Sequence, residues 1–190
     1  MDKKEILNLF KDTGAILEGH FLLSSGLHSE KYMQCAILLS HPDISEKVCS
    51  ALADKCKIFK PNVVIAPALG GVIVSYEVAR ALGVKSLFTE RNDGKMTLRR
   101  GFTLNDKDRV LVVEDVMTTG RSISEVIDVV KECGAKVVGI ACIVDRSSGK
   151  LNFSYDFVSL LKIDIPVYSQ SECPLCKKSI PFQKPGSRKF

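Results

Sequence analysis

Apolar residues along this chain fall into two alternating patterns: short unbroken β-branched runs, and longer stretches with helical spacing. Val63 to Ala66, Ser86 to Thr89, Val110 to Val113 and Val137 to Val144 are the runs. An unbroken apolar strand suits a parallel sheet covered on both faces, because neither side of it meets water. Between the runs, Val72 to Leu82 and Ile123 to Cys133 repeat at helical intervals. In the second, Ile123, Val126, Ile127 and Val130 form one face, and Gly134 stands where a helix ends in a left-handed residue. Upstream, the spacing predicts a helix over Lys3 to Lys11 and another from Pro42, where the fixed φ of proline is already that of a first turn. A short hairpin-like stretch, Phe21 to Ala36, lies between them. The alternation predicts an α/β fold with a doubly wound, mainly parallel sheet behind an amino-terminal lead-in. No internal repeat or low-complexity segment interrupts it.

The candidate chemistry sits where the third run ends. Val113 is followed by Glu114 and Asp115, then by Val116-Met-Thr-Thr-Gly-Arg-Ser122, which opens the next helix. In a strand-loop-helix unit, the carboxyl end of the strand and the amino end of the helix face one crevice, where open α/β sheets bind ligands. Thr118, Thr119, Gly120, Arg121 and Ser122 offer hydroxyls, a close-approach glycine and a run of amide N–H groups at a positive helix end. That is a phosphate cradle. Charge-assisted hydrogen bonds contribute roughly 1.5–3 kcal/mol each, so three or four would anchor a phosphomonoester without a lysine. The adjacent carboxylates suit neighbouring hydroxyls of a sugar, or a hydrated Mg²⁺, since both are oxygen-rich partners of an acid. Phosphate beside a diol points to ribose 5-phosphate.

Two further loops belong to the same picture. Pro67-Ala-Leu-Gly-Gly71 joins a strand to a helix, so the amides of Gly70 and Gly71 can approach an anion at the same sheet edge. Glu90 to Phe102 is polar, carries Arg91, Lys95, Arg99 and Arg100, shows no hydrophobic period and reads as a mobile basic lid. Cations closing over a leaving group that gains negative charge favour the transition state over the ground state.

Val-Val-Glu-Asp-Val-Met-Thr-Thr-Gly-Arg-Ser, ending at Ser122, resembles the 5-phosphoribosyl 1-pyrophosphate motif of the type I phosphoribosyltransferases. Gly19 to Ala36 resembles the amino-terminal hood of the orotate phosphoribosyltransferases, and so does Val144-Asp-Arg146. With the Gly-Gly loop, the similarities cover most of residues 14 to 150. The resemblance implies transfer of ribose 5-phosphate from the pyrophosphate donor to orotate, giving orotidine 5′-monophosphate and pyrophosphate in pyrimidine biosynthesis. It implies an oxocarbenium-like transition state and a requirement for Mg²⁺, held mainly by the substrate. By the same resemblance Glu114, Asp115 and Lys95 are catalytic. Arg91, Lys95, Gly70, Gly71 and every residue from Glu114 through Val116, Met117, Thr118, Thr119, Gly120 and Arg121 to Ser122 would hold the donor. Thr118, Arg146, Tyr32 and Ser24 would face orotate, with Met33 an alternative to Tyr32 on the pyrimidine. It further implies a homodimer whose lid reaches into the neighbouring subunit.

The chain departs from the family pattern in two places. Its lid has no His and an unfamiliar spacing of basic residues. Where many relatives carry a hood lysine, Leu23-Ser-Ser-Gly26 places Ser24, so the cation for orotate falls to Arg146, whose guanidinium fork matches a carboxylate. Other readings are a purine or xanthine phosphoribosyltransferase, which needs a different hood, and a non-catalytic sensor of the ribosyl donor. Val-Leu-Val-Val-Glu-Asp also resembles the first strand of a receiver domain. Such a domain needs about a hundred residues after that strand; only 75 follow Asp115.

Composition narrows the class. With 190 residues, 45% of them hydrophobic, the chain can bury one large core, and the reading is a single domain over residues 1–190. The hood would occupy mainly residues 14–40 plus the carboxy-terminal segment, ahead of a basic tail over 173–190. The first residues lack the apolar run of a signal peptide, and no stretch reaches the ~18 apolar residues of a membrane span. The expected place is the cytosol. The net charge of +5 is concentrated in residues 173–190, where Lys177, Lys178, Lys184, Arg188 and Lys189 stand without an acid; the other 172 residues carry 22 basic and 22 acidic groups. No basic stripe or aromatic pair marks a nucleic-acid face, so nucleic acid and membrane are excluded as partners.

Seven cysteines are an odd count, and Cys49, Cys56, Cys133 and Cys142 sit inside apolar patterns, as reduced core thiols do. Cys173-Pro-Leu-Cys176 is different: it resembles one knuckle of a zinc ribbon, yet no second knuckle is visible. Metal binding across subunits, a redox pair and an inert terminal turn are all open, the inert turn leading. His20, His28 and His41 read as structural or surface residues.

Overall fold

In the computed structural model, which describes residues 1–23, 25–149 and 151–185, the chain opens on helix α1 (Lys3–Asp12). A capping box starts it: the Asp2 carboxylate accepts from the Glu5 N–H at 2.8 Å while Glu5 accepts from the Asp2 N–H at 2.7 Å. Ile6 and Phe10, one turn apart, carry its buried side. Strands β1 (Ile16–Leu22) and β2 (His28–Met33) follow as a separate antiparallel pair, then helices α2 (Cys35–Leu39) and α3 (Pro42–Cys56).

The main sheet contains β3 (Val63–Pro67), β4 (Lys85–Asn92), β5 (Lys95–Leu98), β6 (Arg109–Met117), β7 (Lys136–Asp145) and β8 (Phe157–Lys162), in the order β5-β4-β3-β6-β7-β8. All neighbours are parallel except β4 and β5. Helix α4 (Gly70–Leu82) connects β3 to β4, α5 (Arg121–Glu132) connects β6 to β7, and a single turn, α6 (Pro174–Lys177), lies near the end. Alternation along β6 feeds both faces. Leu111 and Val113 join Leu38, Leu52 and Val74 beneath α3 and α4, while Val110 and Val112 join Ile123, Val126 and Val130 beneath α5. Each such side chain stabilises the fold by roughly 1.5–3 kcal/mol, which is why the strands read as unbroken apolar runs.

The winding positions the site. From β3 the chain goes outward to β4 and later returns to β6 on the other side of β3. The connections leaving β3 and β6 therefore diverge, opening a crevice at their carboxyl ends.

Three sequence expectations change. The third apolar run does not stop at the carboxylates: β6 continues to Met117, paired with β7 as far as Asp145. Glu90 to Phe102 is no irregular loop, because β4 and β5 form an antiparallel hairpin. Asp93 and Gly94, both left-handed with φ of 50° and 80°, turn it, matching the twist that two-residue hairpin turns need. The stretch Phe21 to Ala36 divides into the end of β1, all of β2 and the start of α2. The structure also adds β8 and α6, which the pattern did not mark.

Candidate functional site

At the switch point the Gly-Gly turn and the acidic pair touch. A Cβ placed on Gly70 would stand 2.6 Å from Asp115 Oδ2, and one on Gly71 would stand 2.7 Å from the Ala66 Cβ and 3.2 Å from Glu114 Oε1. Only glycine lets the start of α4 come this close to the carboxylates. The acids are themselves oriented: Glu114 Oε1 accepts from the Asp115 N–H at 3.1 Å, and Asp115 Oδ1 from the Val116 N–H at 2.8 Å. Both stay partly exposed at the strand end.

On the other side of the crevice, β6 runs into Thr118 and Thr119, both exposed, and then Gly120 at φ 75°. A Cβ on Gly120 would meet Phe153 Cζ at 2.6 Å and Leu151 Cδ2 at 2.9 Å, so the turn into α5 is pinned from below by side chains. Neither α4 nor α5 has an acid in its first turn. Two positive helix ends thus open beside two carboxylates, an arrangement that holds anions and polyhydroxyl groups together. As a pair of hard oxygen donors, Glu114 and Asp115 also suit a divalent cation.

A further group of side chains comes from β2, α2 and the end of β7. Arg146 follows β7, its N–H donating to the Met117 carbonyl at 2.8 Å. The guanidinium is largely buried, and its Nε has no hydrogen-bond partner among the described residues. Burial lowers its pKa, opposed by the negative forms of Tyr32 and Cys35. Burial raises the pKa of Tyr32, with Arg146 opposing and Asp115 and Cys35 adding to the rise. The Cys35 thiol, fully buried, is pushed well up by burial and then by Asp115. Tyr32 and Cys35 therefore both feel the Asp115 carboxylate and the Arg146 guanidinium.

Some expected residues lie elsewhere. Met117 is buried in the core beneath α5, so its side chain does not line the crevice, and Met33 is buried on the other face of the sheet. Val116 is partly buried against the core. Arg121 is exposed and donates to Glu125 at 3.1 Å. On the hairpin, Arg91 donates to the Gly94 carbonyl at 2.9 Å and to Glu125, Arg100 pairs with both oxygens of Glu90 at 3.0 Å, and Arg99 approaches Glu90 at 3.5 Å. Lys95 lines a groove of about 550 Å³ with Asp93, Glu125, Asp128 and Glu132. Within one chain the basic residues thus face acids of β4 and α5 rather than Glu114 and Asp115. Ser24 lies outside the described residues.

His41 is exposed, but His20 and His28 are buried together with Cys173. Their meeting with the Cys-Pro-Leu-Cys turn was hidden from the sequence, because 145 residues separate His28 from Cys173.

Residues 36–174 match the phosphoribosyl transferase domain family. A Caldicellulosiruptor bescii orotate phosphoribosyltransferase is 53% identical over 189 residues, covering 100% of both chains. One from Thermotoga maritima is 54% identical over 185 residues and covers 97% of each. Among solved structures, the orotate phosphoribosyltransferase of Aeropyrum pernix superposes with a TM-score of 0.68 at 26% identity, over 83% of this chain and 93% of that one. Matched end to end by such relatives, the chain belongs to the phosphoribosyltransferase family, within its orotate phosphoribosyltransferase branch.

Proposed function

We propose that this protein transfers ribose 5-phosphate from 5-phosphoribosyl 1-pyrophosphate to orotate, releasing pyrophosphate and forming orotidine 5′-monophosphate. The carrying observation is the contact of Gly70 and Gly71 with Asp115 and Glu114, together with a buried arginine whose Nε has no partner among the described residues. The amides of Thr118 to Ser122 take the 5-phosphate, and those of Gly70 and Gly71 the pyrophosphate. Asp115 and Glu114 accept the two ribose hydroxyls. As the anomeric C–O bond lengthens, positive charge grows on the ribosyl ring next to these carboxylates, which stabilise it without moving. Arg146 holds the orotate carboxylate and Tyr32 covers one side of the ring, so the attacking nitrogen is oriented before the bond breaks. Glu114 and Asp115 are the hard oxygen donors of this chain that would meet a Mg²⁺ held mainly by the donor, and such an ion would supply positive charge to the leaving pyrophosphate. Loss of orotate absorbance on adding the donor and Mg²⁺ tests the assignment; turnover of a purine base with none of orotate would overturn it.

The working unit is a homodimer in this reading. Lys95 stands apart from its own acidic pair, beside α5, which supports a lid that serves the neighbouring subunit. Mixing Lys95→Ala subunits with Asp115→Asn subunits is then expected to give hybrids with one intact site, about half the activity of a wild-type dimer. Inactive hybrids, with subunit exchange confirmed by mass, would mean a lid acting on its own chain. Among the described residues no helix is long and apolar enough to cross a membrane. All seven cysteines are free, as suits a reducing compartment, and we place the enzyme in the cytosol.

A further inference from the structure

Four side chains of metal-binding type converge between the β1–β2 hairpin and the carboxy-terminal turn, and the transfer reaction uses none of them. His20 on β1, His28 on β2, and Cys173 and Cys176 around α6 place one ligand atom each within 4.8 Å of all the others. His20 and His28 are 4% and 2% exposed and Cys173 is fully buried. Cys176 Sγ lies 3.4 Å from His28 Nδ1 and 3.7 Å from His20 Nε2, and Cys173 Sγ lies 3.5 Å from His20 Nε2. We infer that His20, His28, Cys173 and Cys176 form a structural zinc site that fastens the carboxy-terminal segment to the β1–β2 hairpin.

The spacing supports zinc. Tetrahedral bonds of about 2.3 Å to sulfur and 2.0–2.1 Å to nitrogen put adjacent sulfur and nitrogen ligands about 3.6 Å apart. The three sulfur-to-nitrogen distances bracket that value. The two imidazole nitrogens stand 2.6 Å apart, so the rings must part by about 0.7 Å to reach the roughly 3.3 Å of a tetrahedral pair. Two thiolates with two imidazoles select zinc over the harder divalent ions.

The surroundings are those of a ligand set. His20 Nδ1 lies 2.7 Å from the Ile180 carbonyl, and donating to it leaves the Nε2 lone pair facing the cluster. That is the outer-shell bond that orients a metal-bound imidazole. Phe182 stacks edge-on against both rings, at 5.9 Å from His20 and 5.5 Å from His28. The segment also adds backbone bonds on both sides of the hairpin: Leu22 N–H donates to Gln183 at 2.9 Å, and His28 N–H to Tyr168 at 2.8 Å. Zinc would displace both thiol protons and join residues 153 apart in sequence, closing a loop whose entropy weighs against the unfolded chain. The second knuckle that the Cys-Pro-Leu-Cys turn lacks in sequence is supplied by the hairpin of the same chain, not by a second subunit.

The untagged full-length protein, grown with zinc and purified without chelator, is expected to carry one zinc per chain by elemental analysis. Exchange with Co²⁺ should give the d–d and thiolate charge-transfer absorption of a tetrahedral S₂N₂ centre. Cys176→Ser should weaken zinc binding by at least about 100-fold, beyond the 10–100-fold that follows loss of an outer-shell partner. Cys176→His keeps four ligands and should bind Co²⁺ with one thiolate's share of the charge-transfer band. If Cys176→Ser does not fold, release of zinc from the wild-type protein by a thiol-blocking mercurial gives the same reading. Wild-type protein with less than about a tenth of a zinc per chain and no tetrahedral cobalt spectrum would overturn the site. So would a Cys173–Cys176 disulfide in protein isolated with its thiols trapped.

Discussion

Arg146→Ala is expected to raise the KM for orotate by about one to three powers of ten while leaving that for the ribosyl donor nearly unchanged. Orotate differs from uracil by a carboxylate. A guanidinium held in a closed, poorly hydrated pocket distinguishes the two by roughly 2–4 kcal/mol, more than a neutral hydrogen bond provides. Arg146 is tied to the sheet through its own N–H to Met117, and its buried Nε has no hydrogen-bond partner among the described residues. Such a donor costs free energy until a ligand satisfies it. Arg146→Lys should recover only part of the loss, because an ammonium makes no bidentate contact. Steady-state kinetics with each substrate varied in turn checks this; unaltered orotate kinetics in Arg146→Ala would remove the residue from the pocket.

Asp115→Asn is expected to lower kcat by about 100- to 1000-fold, the usual effect of removing one preorganised electrostatic group, with a much smaller change in donor affinity. The substitution keeps Oδ1, which accepts from the Val116 N–H at 2.8 Å, and keeps the shape that meets Gly70. It deletes the negative charge and turns one acceptor oxygen into an NH₂ donor. The fold should therefore survive, with an unchanged circular dichroism spectrum, while the barrier rises. Near-normal turnover of the variant would mean that the charge at this position does not face the anomeric carbon.

What could be read before the structure was what is local. The runs Val63 to Ala66 and Val110 to Val113 appear as β3 and β6, and the apolar face from Ile123 is the buried side of α5. Helix α3 begins at Pro42, as the proline required. What escaped was decided by distant neighbours. Strand β5 has one buried side chain, Met96, and exists because Asp93 and Gly94 turn it back onto β4; four residues are too few to show a period of two. Glu114 and Asp115 belong to β6 because β7 pairs beyond them, although acids seldom lie on a central strand. Helix α2, five residues long with no side-chain cap, is held by packing rather than propensity. For the crevice the sequence was a good guide to Gly70, Gly71, Glu114 and Asp115, which meet where the winding reverses. It was a poor guide to the hairpin cations, whose acidic partners Glu90 and Glu125 lie 35 residues apart.

The hairpin of β1 and β2 is synthesised early and finished late. Its outer bonds go to Tyr168, Ile180 and Gln183, the last two about 160 residues beyond His20. At about 5–20 residues per second, a ribosome needs roughly 8–32 s to make that interval. During that time the hairpin has both edges open and His20 and His28 without their covering segment, while β3 to β7 can already assemble behind it. The first strands of this enzyme are therefore among the last to be closed, and a nascent chain stopped short of Tyr168 would keep a bare edge available to any other strand it meets.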